Sequence, residues 1–163
     1  MLGYAGGGCI AWVNGFCAIT AHKMGYCGIN SSFNTVPTYS WTVKVVAHEE
    51  GHLFGSNHTH SCVWNGNNTK IDACGDEAGY PSGPCPWTVP SSPPGGGTIM
   101  SYCHLTSVGV NFNLGFGPQP AALMLNNEET SSCLSACSGC TPPSQPGTIT
   151  GGTTVCQSAS QTY

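Results

Sequence analysis

The chain has 163 residues, enough for one domain with its own hydrophobic core. Only 6% of the residues are charged, and three Lys against seven acids give a net charge of −4, so the clustered cations that nucleic acid requires are missing. No apolar run approaches the roughly 18–20 residues of a membrane span. We therefore predict no nucleic-acid partner and no membrane span, and we expect a monomer.

Eleven cysteines, with 23 Gly and 12 Pro, indicate a loop-rich chain held by disulfides in an oxidising compartment. The odd count leaves one thiol over, or points to a partner cysteine outside this sequence. Residues 1–8 lack the basic and apolar regions of a signal peptide. We therefore expect a secreted protein whose signal peptide was lost with a missing N-terminal part.

The first 20 residues carry short apolar runs interrupted by glycines and by Asn14-Gly15, a dipeptide typical of β-hairpins. Residues 21–41 are polar and irregular, with Cys27 and Pro37, and predict a loop. A helix is then predicted from Trp41 to Leu53, where apolar residues recur near helical spacing.

That helix carries His48 and His52, which a spacing of four residues places on one face, one turn apart. Two neutral imidazoles in this arrangement suit one zinc ion. Gly55 predicts a left-handed exit from the helix, after which His58 returns as a third ligand. Three protein ligands leave one position open, as a catalytic zinc requires. The alternative is a surface helix with solvated histidines.

Glu49 stands beside the first ligand, where its carboxylate could take a proton from a zinc-bound water. His60 competes with His58 for the third ligand position, but the Gly-x-x-His spacing favours His58. Glu50 is unexpected on this helix, because a carboxylate facing the core costs several kcal/mol unless it is paired or protonated. We predict that Glu50 either reaches solvent or has a partner.

Residues 61–97 form a long loop, for which Cys62, Cys74, Cys85 and Cys103 offer two disulfides in any of three pairings. A calcium site is conceivable there, but the acidic spacing matches no calcium loop, and a solvated acidic turn is preferred. The acids concerned are Asp72, Asp76 and Glu77. Gly97 to Tyr102 then reads Gly-Thr-Ile-Met-Ser-Tyr, with Met100 at its centre.

Residues 111–135 predict a loop and then a helix, with Pro120 near the first helical turn and an apolar side that includes Leu123 and Leu125. Cys137 and Cys140 form a CxxC pair, interpreted as a disulfide. A Pro-rich linker follows at 141–148, and residues 149–163 look like the first strand of an Ig-like or PKD-like module. The predicted domain is 1–140.

The pattern HExxHxxGxxH from His48 to His58, followed by a distant Met turn at Met100, resembles the metzincin zinc metallopeptidases. The continuation His-Thr-His-Ser-Cys is most similar to the reprolysin (adamalysin-like) branch in its secreted bacterial form. The resemblance implies an α+β fold: a partial catalytic domain with a mixed-sheet remnant, an active-site helix, the Met turn, a C-terminal helix and long disulfide-rich loops. It also implies an N-terminal truncation.

The same resemblance assigns roles to single residues. Residues 1–20 correspond to the edge strand that pairs with extended substrate, and Cys9 would be tied to Cys133. Met100 would form an apolar floor beneath the metal. Tyr102 matches a Met-x-Tyr pattern of other metzincin branches, in which the tyrosine touches zinc and the oxyanion, although simple packing is equally compatible.

The predicted function is a zinc-dependent endopeptidase with one catalytic zinc, acting on a protein or peptide through a zinc-activated water and Glu49 as general base. The alternative is a catalytically incompetent, zinc-stabilised, cysteine-rich secreted fragment that serves binding or adhesion. Glu49 argues against the alternative, because a structural zinc has no use for a carboxylate at that position.

Overall fold

The computed structural model describes residues 2–3, 8–85 and 93–134. In these ranges the elements are β1 (Leu2–Gly3), β2 (Cys9–Ala11), β3 (Gly25–Gly28), α1 (Trp41–Leu53), α2 (Cys74–Glu77) and α3 (Pro118–Glu129), with short 3-10 helices at Thr20–His22, Cys103–Leu105 and Phe112–Leu114. This combination of short strands and helices confirms the predicted α+β class. All of these elements lie in one compact unit, Met1–Ser131. A second unit, Ser132–Tyr163, is described only at 132–134, so the predicted linker, terminal module and CxxC pair lie outside the described residues.

The strands form a mixed sheet in the order β1-β3-β2, with β1 parallel and β2 antiparallel to β3. The prediction of a loop over residues 21–41 was wrong at β3. Gly25–Gly28 forms a strand because it pairs with β1 on one side and with β2 on the other, although its residues carry no local strand signal. The prediction of a hairpin turn at Asn14-Gly15 was also wrong. The antiparallel strands on either side are joined by a longer connection, because β2 ends at Ala11 and its partner β3 begins only at Gly25.

Residues 14–16 instead close the C-terminal end of α1. The backbone N–H of Asn14 donates to the carbonyl of His52 at 2.8 Å, and that of Phe16 donates to Leu53 at 3.2 Å. These bonds satisfy two of the carbonyls that every helix end leaves without a helical partner. The connection between β2 and β3 therefore fixes the end of the helix that carries the candidate ligands.

Helix α1 begins at Trp41 and ends at Leu53, as predicted. Its buried positions are mostly polar: Lys44, Val45, His48, Glu49, Gly51 and His52. Glu50 is exposed, so its charge stays in water and the prediction that it reaches solvent is confirmed. A helix that buries polar side chains gains little from the hydrophobic effect, which indicates that this face serves chemistry.

The long loop after α1 is held by disulfides between Cys62 and Cys85 and between Cys74 and Cys103. This result selects one of the three pairings left open by the sequence. Cys17 and Cys133 are disulfide-bonded as well. Cys9 keeps a free thiol opposite Cys27 in the sheet, so the implied bond between Cys9 and Cys133 was wrong.

Helix α3 begins at Pro118, where a missing N–H costs nothing because the first turn has no acceptor for it. Its predicted apolar side is only partly covered, since Leu125 is 57% exposed while Leu123 is half-buried. None of the helices in the described ranges combines the length and apolar character that a membrane crossing requires.

Candidate active site

Three histidines converge at the C-terminal half of α1. The helix supplies His48 and His52, whose ring centroids lie 4.8 Å apart. The chain then turns at the buried Gly55, which has a φ of +99° and whose N–H donates to the carbonyl of His52 at 2.9 Å. This turn brings the ring of His58 to within 4.6 Å of His52 and 5.1 Å of His48. A Cβ at Gly55 would lie 2.1 Å from the Asn127 amide, so only glycine fits there.

Backbone carbonyls fix which nitrogen of each helix histidine is available. The Nδ1–H of His48 donates to the carbonyl of Ile99 at 2.7 Å, and that of His52 donates to Ser56 at 2.7 Å. Each Nε2 is left as an unprotonated lone pair. The Nε2 atoms of His52 and His58 lie 3.0 Å apart, and the ligand atoms of all three rings lie within 4.8 Å of one another. Nε2 lone pairs that converge, on rings whose Nδ1–H groups are held by backbone carbonyls, are suited to bind a divalent cation.

The three imidazoles are neutral at physiological pH. Burial is the largest cause in each case, and it lowers the pKa of His58 to about 3 and that of His48 well below its usual value. The pKa of His52 is lowered in the same way. Nearby positive groups, including Lys44, act in the same direction. Because only a neutral imidazole can ligate a metal, the site is prepared for one.

His60, the rival for the third ligand position, lies behind the cluster rather than in it. Its ring stacks on that of His58 with centroids 5.0 Å apart, and only 1% of the residue is exposed. The backbone there is held in place, since the Trp64 indole N–H donates to the carbonyl of His58 at 2.8 Å. The structure therefore groups His58, and not His60, with the two helix histidines.

Met100 is fully buried and packs against α1 at Gly51, between the two helix histidines in sequence. A Cβ at Gly51 would lie 2.5 Å from its Sδ, so the helix approaches the methionine closely only because residue 51 has no side chain. The turn around Met100 is closed by the N–H of Ser101, which donates to Thr98 at 3.1 Å. The carbonyl of Met100 accepts the N–H of Thr59 at 3.2 Å, which ties this turn to the His58 loop.

Glu49 is 6% exposed, and its Oε2 is buried with no hydrogen-bond partner among the described residues. Burial raises the pKa of Glu49 to about 7, while the nearby Lys44 ammonium opposes that rise. A carboxyl group with a pKa near neutrality can accept and return a proton at physiological pH. Glu49 and His48 both line a cavity of about 350 Å³ beside the cluster.

Tyr102 also lines this cavity, with its ring centroid 4.5 Å from His58 and 6.1 Å from His48. Burial raises the pKa of Tyr102, so its hydroxyl remains a proton donor at neutral pH. His104, read as a loop residue from the sequence, also lines the cavity, and its ring lies 5.7 Å from that of Tyr102. Tyr102 and His104 lie two and four residues after Met100.

Two of the three acids considered for calcium have other partners, and the third, Glu77, is exposed. Asp72 accepts the N–H of Cys74 at 3.0 Å, and Asp76 forms an ion pair with Lys70. The residue that sequence reasoning missed is Lys44, which is 2% exposed and lines the same cavity. It stands four residues before His48, so the helical spacing that identified His52 also places Lys44 on the histidine face.

Comparison with known proteins identifies one family. The family model described as metallo-peptidase family M12 matches residues 2–114, which include β1 to α2, the three histidines, Met100 and Tyr102. Neither the curated proteins nor the solved structures that were searched give a match. The match covers more than half of the chain.

Proposed function

The chain belongs to metallopeptidase family M12, and from that premise we propose that it is a zinc-dependent endopeptidase with its active site at His48, His52 and His58. The observation that carries the proposal is the convergence of three neutral imidazoles next to a buried carboxyl group that has no hydrogen-bond partner among the described residues. Membership of a peptidase family implies a protein or peptide substrate.

Zinc, when held by the three histidines, supplies Lewis acidity that lowers the pKa of a water molecule and polarises a carbonyl. The role of α1 is to present two Nε2 atoms on one face, while Ile99 and Ser56 keep the rings in the required tautomer. Met100 supports the helix from below and holds the His58 loop through its carbonyl.

Glu49 is assigned as the general base. Its carboxylate removes a proton from the attacking water and then delivers that proton to the leaving amine. In the metal-free protein burial raises the pKa of Glu49, which makes its carboxylate a better proton acceptor than an exposed one. The Tyr102 hydroxyl, which is protonated at neutral pH, is proposed to donate to the oxyanion that develops on the scissile carbonyl.

A carboxamide at position 49 tests this assignment. We expect zinc-loaded Glu49→Gln to cleave denatured casein at least about 100-fold more slowly than the wild type, because general acid–base catalysis contributes about that factor or more. The zinc content should be unchanged, since Glu49 is not among the grouped ligands. Fluorescently labelled casein gives the rate, and metal analysis of the same sample gives the zinc content.

Glu50→Gln is the matched control, because it makes the same chemical change one residue away on an exposed side chain. Its rate should equal that of the wild type. Equal rates for Glu49→Gln and the wild type, with zinc bound to both, would remove Glu49 from the mechanism. Zinc binding without cleavage by any of the three proteins would favour a non-enzymatic binding module.

The disulfides support a place of action outside the cytosol. The bonds between Cys62 and Cys85 and between Cys74 and Cys103 hold the loop that carries one wall of the cleft. Such bonds persist in oxidising compartments. We therefore propose that the protein is secreted and acts on extracellular protein or peptide.

A further inference from the structure

The chain has three basic side chains other than histidine, and they lie in different environments: Lys23, Lys44 and Lys70. Lys23 is exposed and needs no partner. Lys70 is buried and paired with Asp76. Lys44 is equally buried, at 2% exposure, but its ammonium has neither an ion pair within 4.0 Å nor a hydrogen bond among the described residues. Its interactions there are a contact over the Tyr102 ring and a longer-range attraction to Glu49. A buried ammonium with neither a hydrogen bond nor an ion pair is costly, so its position needs a reason.

The position of Lys44 supplies that reason. Its side chain lines the cavity beside the histidine cluster, and its Nζ lies 5.7 Å from the centroid of the Tyr102 ring, which lines the same cavity. One turn further along the same helix is His48, and next to it is Glu49. The lining also includes Cys9 of β2, the strand proposed to pair with extended substrate. A side chain next to the scissile bond would therefore enter this cavity.

We propose that Lys44 makes this cavity an anion-selective specificity pocket, which takes an Asp or Glu side chain of the substrate next to the scissile bond. The proposal rests on the proposed peptidase function and adds the substrate class. The carboxylate would accept a charge-assisted hydrogen bond from the Lys44 ammonium, which gives that buried cation the hydrogen-bonded anionic partner that the described residues do not supply.

The charges around the cavity agree with this assignment. Glu49 is the one acidic side chain that lines it, out of seven acids in the chain, all of which lie in the described ranges. Glu49 is reserved for the attacking water in the proposed mechanism. His48 and His104 add no negative charge, and a bound metal ion would add positive charge. A neutral side chain entering the cavity would leave the ammonium desolvated and unpaired, which disfavours such substrates.

Cleavage-site profiling tests the proposal. A random peptide library is digested with the zinc-loaded wild type, and the cleaved bonds are mapped by mass spectrometry. We expect Asp and Glu to be enriched by about 10-fold or more over Asn and Gln at one of the two positions that flank the cleaved bond, the size expected for a hydrogen bond to a charged group. Lys44→Met should abolish this enrichment, and Lys44→Arg should retain it. Lys23→Met, the same change on an exposed residue, should leave it unaltered.

Three results would overturn the proposal. The first is a wild-type profile without acidic enrichment, and the second is a Lys44→Met profile that keeps the enrichment. The third is equal slowing of acidic and neutral substrates by Lys44→Met, because Lys44 would then act on Glu49 and not on the substrate. In each case Glu49-dependent cleavage would leave the proposed function standing.

A binding measurement tests the specificity pocket independently of peptidase activity. Zinc-loaded Glu49→Ala is titrated with fluorescent alanine hexapeptides that carry a single Glu or a single Gln at each position in turn. We expect one Glu peptide to bind about 10-fold more tightly than its Gln counterpart, and the added Lys44→Met change to equalise them. This difference would support the pocket even if the wild type cleaved nothing. Equal binding of every Glu and Gln pair would refute it.

Discussion

Two backbone carbonyls, those of Ile99 and Ser56, decide which nitrogen of each helix histidine remains for a metal. The grouping of the three histidines could be predicted from the sequence, because they lie within eleven consecutive residues and helical spacing fixes two of them. The orienting carbonyls could not, since Ile99 is 51 residues from His48 and every residue has a carbonyl. Tyr102 was predicted from a pattern, and its role remains a proposal.

Burial lowers the pKa of five imidazoles, namely those of His48, His52, His58, His60 and His104. In the unfolded chain a histidine takes up a proton near about pH 6.5. In the folded chain the pKa of His58 is about 3 and that of His104 is about 4. Between these limits the unfolded chain binds more protons, so falling pH favours unfolding.

The metal-free protein should therefore lose stability as the pH falls below about 6.5. Glu49 acts in the opposite sense, because its pKa is raised to about 7 and the folded state takes up its proton first, but one carboxyl opposes five imidazoles. We expect the Tm of chelator-treated protein to be several degrees lower at about pH 5 than at about pH 7.5. Differential scanning calorimetry measures this, and an equal or higher Tm at the lower pH would contradict the burial of neutral histidines.

At the scale of elements, the approach of α1 to the turn around Met100 determines the geometry of the site. Helix α1 and the start of α3 could be predicted, because apolar spacing and a proline at the first turn are local signals. β3 could not, since its strand character comes from pairing with β1 and β2. The one-turn helix α2 was missed because it lies within a loop and is held by the bond between Cys74 and Cys103.

The contact between Gly51 and Met100 predicts how substitutions at position 100 behave. Met100→Ala would leave a cavity under the helix and should lower the free energy of unfolding by about 2–5 kcal/mol. Met100→Leu keeps the volume and should cost less than about 1.5 kcal/mol. Urea unfolding of the two variants gives both values. A cost below about 0.5 kcal/mol for Met100→Ala would show that the methionine does not support the helix.

At the scale of the whole molecule, disulfides restrain a chain that has few charged residues and many glycines. The disulfides between Cys62 and Cys85 and between Cys74 and Cys103 close loops across the segment that follows His58. Their presence could be predicted from the cysteine count, but their pairing could not, because four cysteines allow three arrangements and distance in the fold selects among them. The domain limits proposed beyond Leu134 remain predictions.

The specificity proposal also belongs to the whole molecule, because its pocket joins residues that are far apart in the chain. Cys9, Lys44 and Tyr102 come from three separate segments and meet around one cavity. The sequence places Lys44 on the histidine face, but it does not show that Tyr102 lines the same cavity. For this reason the substrate class could be inferred only once the cavity had been described.

The central claim is that one zinc ion at His48, His52 and His58 is required for peptide hydrolysis by this chain. The most direct measurement follows zinc content and casein cleavage on the same sample during stepwise removal of zinc by a chelator and its stepwise return. We expect one zinc per chain, with cleavage that falls in proportion to the zinc removed and recovers as zinc is restored. Cleavage that persists in the zinc-free protein, or one bound zinc per chain without any cleavage, would contradict the claim.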